Sequence, residues 1–245
     1  MTLPPESTPP LESTQPLEST PPLESTQPLE STQPLEPFSP YRVVLGDELD
    51  RLHPRLRSYF SAIPAGSEGR GSGIFDVVGT PRRWLWPVFW VLGAQGLLFA
   101  AWERDVPFVV VNRPVVDAAG RVAIRATREF EFARGRRTMV DAITATDGGL
   151  VDYLGRAGRY EASLAGTVVS GELHLRSTRM RLRVGGRWWV LPAFFAPAVA
   201  LTERFDDGTD RQRVSVILSA PVLGKLYEYS GSFSYEIQAV ANHEL

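Results

Sequence analysis

Val122 to Thr146 reads VAIRATREFEFARGRRTMVDAITAT, and the reading of this stretch decides the fold. Apolar and polar residues alternate on both sides of Arg134-Gly135, the pattern of two strands that each bury one face. With Arg134 and Gly135 as the turn, Ile124 falls opposite Ala145, Ala126 opposite Ile143, Arg128 opposite Asp141 and Phe130 opposite Met139. The other face carries Arg125, Thr127, Glu129 and Glu131 and suits solvent. The apolar face therefore contains one cation, with an aspartate directly across from it. A lone buried guanidinium would be very costly, so this complementarity supports the pairing. A three-residue loop with a bulge would shift the pairs.

Outward from this hairpin the same texture continues. FVVVNRPVV precedes it, and LVDYL, RYEASLAGTVV, ELHLRS, RMRLRVG, RVSVILSA and KLYEYSGSFSYEI follow. Glycine-containing turns such as Asp147-Gly148-Gly149, Gly185-Gly186 and Asp206-Asp207-Gly208 separate several of them, with no intervening helices. That rhythm predicts a curved, barrel-like antiparallel sheet. Before it, LGDELDRLHPRLRSYFSA (Leu45 to Ala62) has helical spacing, with Pro54 expected to kink or divide the helix. GSEGRGSG, Gly66 to Gly73, reads as a loop, and Ile74 to Val78 as a short strand. The expectation is an α+β domain with N-terminal helices over residues 41–245.

Residues 1–40 stand apart. A refrain close to PLESTQ places Glu at 6, 12, 18, 24, 30 and 36, with no aromatic before Phe38 and no basic residue before Arg42. Such a Pro/Glu/Ser/Thr repeat buries too little to offset its chain entropy, and a disordered tail is expected. It holds six of the 28 acidic residues and none of the 26 basic ones, so the net charge of −2 becomes +4 for the remainder. Lys225 is the only lysine. The basic residues are interspersed with acids along the chain, which argues against a nucleic-acid partner.

Trp84 to Trp102, WLWPVFWVLGAQGLLFAAW, is the second helical region and contains no charge. Its length meets the lower limit for a membrane span, but Pro87, Gln95, Gly93 and Gly96 favour burial in the domain or shallow contact with a membrane surface. The start at Met1 lacks the basic and apolar regions of a signal peptide, so a cytoplasmic location is expected.

There is no cysteine, which excludes disulfides and thiolate chemistry. His53, His174 and His243 lack metal-ligand spacing, so no metal site is expected. Gly69-x-Gly71-x-Gly73 leads into a strand and reads as a flexible turn, not a phosphate loop, and no cofactor is called for. The candidate site is the apolar face around Arg128 and Asp141: either an ion pair that fixes register, or a polar anchor in an apolar cavity. Trp84, Trp90, Trp188 and Tyr229 are its candidate walls, and His174 or Glu203 its candidate acid or base.

LHPRLRSYF, GSGIFDVVGTPRRWLWP, DVPFVVVNRPV, REFEFARGRRTMVD, LTERFDDG and PVLGKLYEYSGSF, in this order from about Tyr41 to Ile237, resemble the bacterial family known as domain of unknown function 4166. The resemblance implies a soluble domain and brings no catalytic residues with it. It also implies a possible partner: family members occur alone or fused behind NAD-binding domains, and this chain has no such half. The leading expectation is a non-enzymatic domain that binds a hydrophobic or amphipathic small molecule, serving a partner oxidoreductase. The alternatives are an enzyme using Arg128 with His174 or Glu203, and a peripheral membrane protein held by its Trp-rich segments.

Overall fold

The computed structural model describes residues 39–117, 119–192 and 196–240. The repeat at 1–38, residues 193–195 and His243 lie outside the described residues. Eleven strands follow in order: β1 (Ser67–Gly79), β2 (Trp102–Val116), β3 (Val122–Phe132), β4 (Gly135–Thr146), β5 (Gly149–Leu154), β6 (Tyr160–Val169), β7 (Glu172–Val184), β8 (Arg187–Val190), β9 (Ala198–Asp206), β10 (Arg211–Ala220) and β11 (Gly224–Ala239). Each pairs antiparallel with its neighbours in the order β6-β5-β4-β3-β2-β1-β11-β10-β9-β7, and β6 pairs with β7 to close a ring of ten. β8 pairs with β7 outside that ring. The fold is an antiparallel β-barrel with N-terminal helices.

The hairpin that announced the barrel keeps its faces and changes its register. Phe132 pairs with Gly135, so Ala133 and Arg134 make the turn; Ala126 faces Asp141 and Arg128 faces Met139. A primed Arg-Gly turn would need positive φ at Arg134 as well as at Gly135. Only Gly135 takes it, at φ 109. A shift of two residues returns every side chain to the same side of the sheet. Arg128 and Asp141 become diagonal neighbours, and their ion pair survives.

The expected loop at Gly66 to Gly73 is instead the first half of a 13-residue strand. Gly69, Gly71 and Gly73 alternate on the inner face of β1, opposite Ile237, Tyr235 and Phe233 of β11. A Cβ at Gly69 would lie 1.5 Å from the Tyr235 hydroxyl oxygen, and one at Gly73 2.1 Å from the Ser232 carbonyl oxygen. The glycines are there because aromatic rings from the neighbouring strand occupy the space their side chains would fill.

Helices close both ends of the ring. At one end α1 (Pro40–Leu45), a 3₁₀ segment (Gly46–Arg51) and α2 (Pro54–Phe60) replace the single expected helix. Pro54 starts α2 where the sequence alone left it as a kink or a break, because proline fits the first helical turn. Ser39 accepts from the Arg42 N–H and donates to the Phe60 carbonyl at 2.5 Å, tying α1 to α2. Leu49, Leu52, Leu56 and Phe60 are buried against Leu150, Val168, Leu173 and Leu175 of the barrel. The His53 N–H donates to the carbonyl of Gly171, in the β6–β7 turn.

At the other end the apolar segment forms only a nine-residue helix, α3 (Trp86–Ala94). Gly96, at φ 76, follows its end, and irregular backbone leads on to β2. Phe89 of α3 meets Tyr227 edge-on, and Phe99 packs on Phe130. No helix of the described residues is long and apolar enough to cross a membrane.

Candidate functional site

Between the two plugs lies a polar layer. Cross-strand partners carry one inner face around the ring: Asn112 on β2, Arg128 on β3, Asp141 on β4, Asp152 on β5, Glu203 on β9, Gln212 on β10 and Tyr229 on β11. Tyr41 and Tyr59 reach it from the helices. The layer thus holds one guanidinium and three carboxyls.

Burial sets the electrostatics. It works against the Arg128 charge, but Asp141 and neighbouring acidic groups more than offset it and keep the guanidinium charged. Asp152 is pushed well above the usual carboxylate range by burial first and by the Asp141 charge second. One of its oxygens is buried without a hydrogen-bond partner. Glu203, 6% exposed, is raised to about 7 by burial, partly opposed by the hydrogen bond from Gln212 and by Arg128. Burial likewise raises Tyr229 to about 12.

Two cavities adjoin the layer. One, of about 40 Å³, has Arg128, Asp141, Asn112, Tyr41 and Tyr59 in its wall. That space suits one or two waters, and an apolar ligand needs several times more. The other, of about 140 Å³, lies between α2 and strands β10 and β11, with Arg55, Phe205, Gln212 and Phe233 among its walls. Tyr59 lines both. Around them Phe75, Phe108, Phe130, Tyr229 and Phe233 stack into packed core.

The structure brings together Arg128, Asp141 and Tyr229 and, across the same interior, Glu203. It separates the others. His174 projects from the outer face of β7, between inward-facing Leu173 and Leu175, and its Nδ1 lies 3.2 Å from the Thr202 hydroxyl. Trp188 packs near Tyr153 and beneath the guanidinium of Arg181, outside the ring. Trp84 and Trp90 are 59% and 70% exposed and line no interior wall. Neither His174 nor Glu203, the candidate acid or base, lines the cavity beside Arg128. Asn112, Asp152, Gln212, Tyr41 and Tyr59 are the residues that sequence reasoning missed. Asp152 was within reach, since two-residue spacing puts it on the same face as the inward Leu150 and Leu154 in GLVDYL. Among the described residues no group of three or more His, Asp or Glu is placed to hold a metal.

A second feature sits on the α3 end. Trp84, Val88, Trp90 and Val91 point away from the barrel, as do Trp189 and Val190 of β8 and Val222 and Leu223 of the β10–β11 turn. α3, the β7–β8 turn and the β10–β11 turn all belong to this end of the ring, because β1, β7 and β10 finish there and β2 and β11 begin there. The inner residues of α3 are spent on the core, so its uniformly apolar sequence leaves the remainder facing out.

A closed antiparallel barrel plugged by helices, with a polar layer inside and tryptophans at one end, defines a class of small β-barrel domain. Residues 52–233 match the model of the family described as Domain of unknown function (DUF4166), and the chain belongs to that family. It is also similar to a Bacillus subtilis (strain 168) protein, "Uncharacterized protein YndH", with 26% identity over 200 residues that cover 76% of this chain and 91% of that one. No solved structure matches.

Proposed function

We propose that this domain attaches peripherally to a lipid surface through its α3 end. The observation that carries the reading is the exposure of Trp84, Trp90 and Trp189 (59%, 70% and 60%) together at one end of a barrel whose other aromatics are largely packed inside. Tryptophan favours the membrane–water interface, where an apolar ring and one N–H are both accommodated. A soluble domain pays a cost for holding such rings in water, and insertion at the acyl boundary removes it. Each ring offers on the order of 100 Å² for burial, worth about 2–3 kcal/mol as an upper estimate. Val88, Val91 and Val222 extend the same surface. Occupation of the interior by a hydrophobic ligand, the leading expectation from sequence, finds less support: the space beside Arg128 holds water-sized groups only.

The test is flotation of the full-length protein with mixed phosphatidylcholine–phosphatidylglycerol vesicles. Wild type is expected to float, and Trp84→Ser with Trp90→Ser to lose binding by at least about a hundredfold. Both side chains are exposed, so the melting temperature of the variant should be unchanged. Undiminished flotation of the variant, or wild type that stays at the bottom of the gradient, would overturn the reading.

A further inference from the structure

The α3 end of the barrel gathers unpaired arginines in a way the linear sequence hides, with Asp105 exposed beside them. The turns and strand ends around α3 carry Arg82, Arg83, Arg104, Arg134, Arg159 and Arg187, and among the described residues none of these has a carboxylate partner. The acids at that end are mostly engaged. Glu131 pairs with Arg136, Glu161 with Arg181 and Glu228 with Lys225, while Glu103 accepts from the Ala133 N–H. The opposite end is close to balanced: Asp47, Glu48 and Asp50 in the 3₁₀ segment, Asp147 in the β4–β5 turn, and Asp206, Asp207 and Asp210 in the β9–β10 turn are accompanied by Arg42, Arg51, Arg55 and Arg213, which pair with Asp50, Glu48, Asp210 and Asp206.

We infer that the α3 end selects anionic lipid, with the barrel standing on end, its arginine crown at the phosphate level and its charge-paired end turned away. This rests on the lipid attachment proposed above and adds the chemical class of the surface. The arginines ring the exposed tryptophans, so apolar insertion and phosphate contact occur in the same docked pose. Guanidinium groups suit this position: they donate to phosphate oxygens in a fixed fork, and their stems are apolar enough to lie along a membrane boundary. The opposite end, where arginines and carboxylates neutralise one another, offers the same leaflet no comparable attraction, which favours docking by the α3 end. Nucleic acid, the other common polyanion, is disfavoured by Trp84, Trp90 and Val91, apolar side chains exposed at the same end.

The experiment is a vesicle titration of the full-length protein at constant salt, with phosphatidylglycerol raised stepwise in phosphatidylcholine. Arg83→Ser, Arg134→Ser and Arg187→Ser are made singly and together. Each arginine is expected to contribute roughly fivefold near an anionic surface, so the triple variant should bind about a hundredfold more weakly. Binding should also fall steeply at about 0.5 M salt, where screening is short-ranged. Equal binding to neutral and anionic vesicles would overturn the anionic selectivity and leave lipid attachment standing. Binding to neither would remove the attachment itself. Capture of duplex DNA as tight as that of anionic vesicles would assign the crown to nucleic acid and overturn the inference.

Discussion

Glu203 shows how much one buried proton matters to this barrel. Its ordinary value is 4.5, and inside the barrel it is raised to about 7. The unfolded chain therefore releases this proton first as pH rises, and the native state follows only near pH 7. Stability from this group is complete below about pH 4.5, declines between the two values and stays low above them, a change of about 3 kcal/mol. Glu203→Gln, which keeps the shape and can still bond Gln212, is expected to abolish that decline. Urea denaturation at pH 5 and pH 8 would check it: the variant should gain on wild type at the higher pH, and parallel curves would refute the argument. Glu203 was picked out of the sequence only as an acid near an apolar run, although in ALTERFDDG it shares a strand face with Leu201 and Phe205, and that spacing turns it inward. Arg128 and Asp141 were legible for a different reason. A cation and an acid on one apolar strand face betray each other, even when the register between them is two residues off.

At the scale of the element, β1 is the strand that sequence patterning conceals. Gly-rich stretches usually mark turns, and the first half of this strand, whose inner positions are Gly69, Gly71 and Gly73, has no apolar alternation to read. The pattern lies in its partner: Phe233 and Tyr235 fill the inner face that Gly69, Gly71 and Gly73 vacate. A methyl group added at Gly73 meets the Ser232 carbonyl and Phe233 backbone, which cannot swing aside. Gly73→Ala is therefore expected to destabilise the domain by about 2–3 kcal/mol or more, measured by chemical denaturation. A stability within about 0.5 kcal/mol of wild type would show that the strand can shift. α3 was legible as apolar and helical but not in its length, since Gly93 and Gly96 read as tolerable interruptions and the second acts as a stop.

For the molecule as a whole, alternation, turn residues and the lack of helices after Pro107 disclosed a curved antiparallel sheet. The barrel-like curvature was legible in the same pattern, but not the pairing that closes it, because that depends on which strands, such as β6 with β7 and β1 with β11, meet at a distance. Among the described residues, the buried core that holds the ring together is drawn from Leu49 onward and from the barrel strands. Deleting residues 1–38 is accordingly expected to leave the thermal transition unchanged, with a clear drop in melting temperature as the contrary result. Closure also has a consequence for how the chain is made. β1 is hydrogen-bonded on one side to β2 and on the other to β11, more than 150 residues downstream by the pairing of Ser67 with Ala239. On the ribosome, hairpins can form in turn as each strand emerges, but the first strand must wait with one edge bare until the last has been synthesised. Synthesis that halts anywhere before β11 leaves an open sheet in place of a barrel, and that unpaired border is the kind of surface quality-control chaperones and proteases recognise.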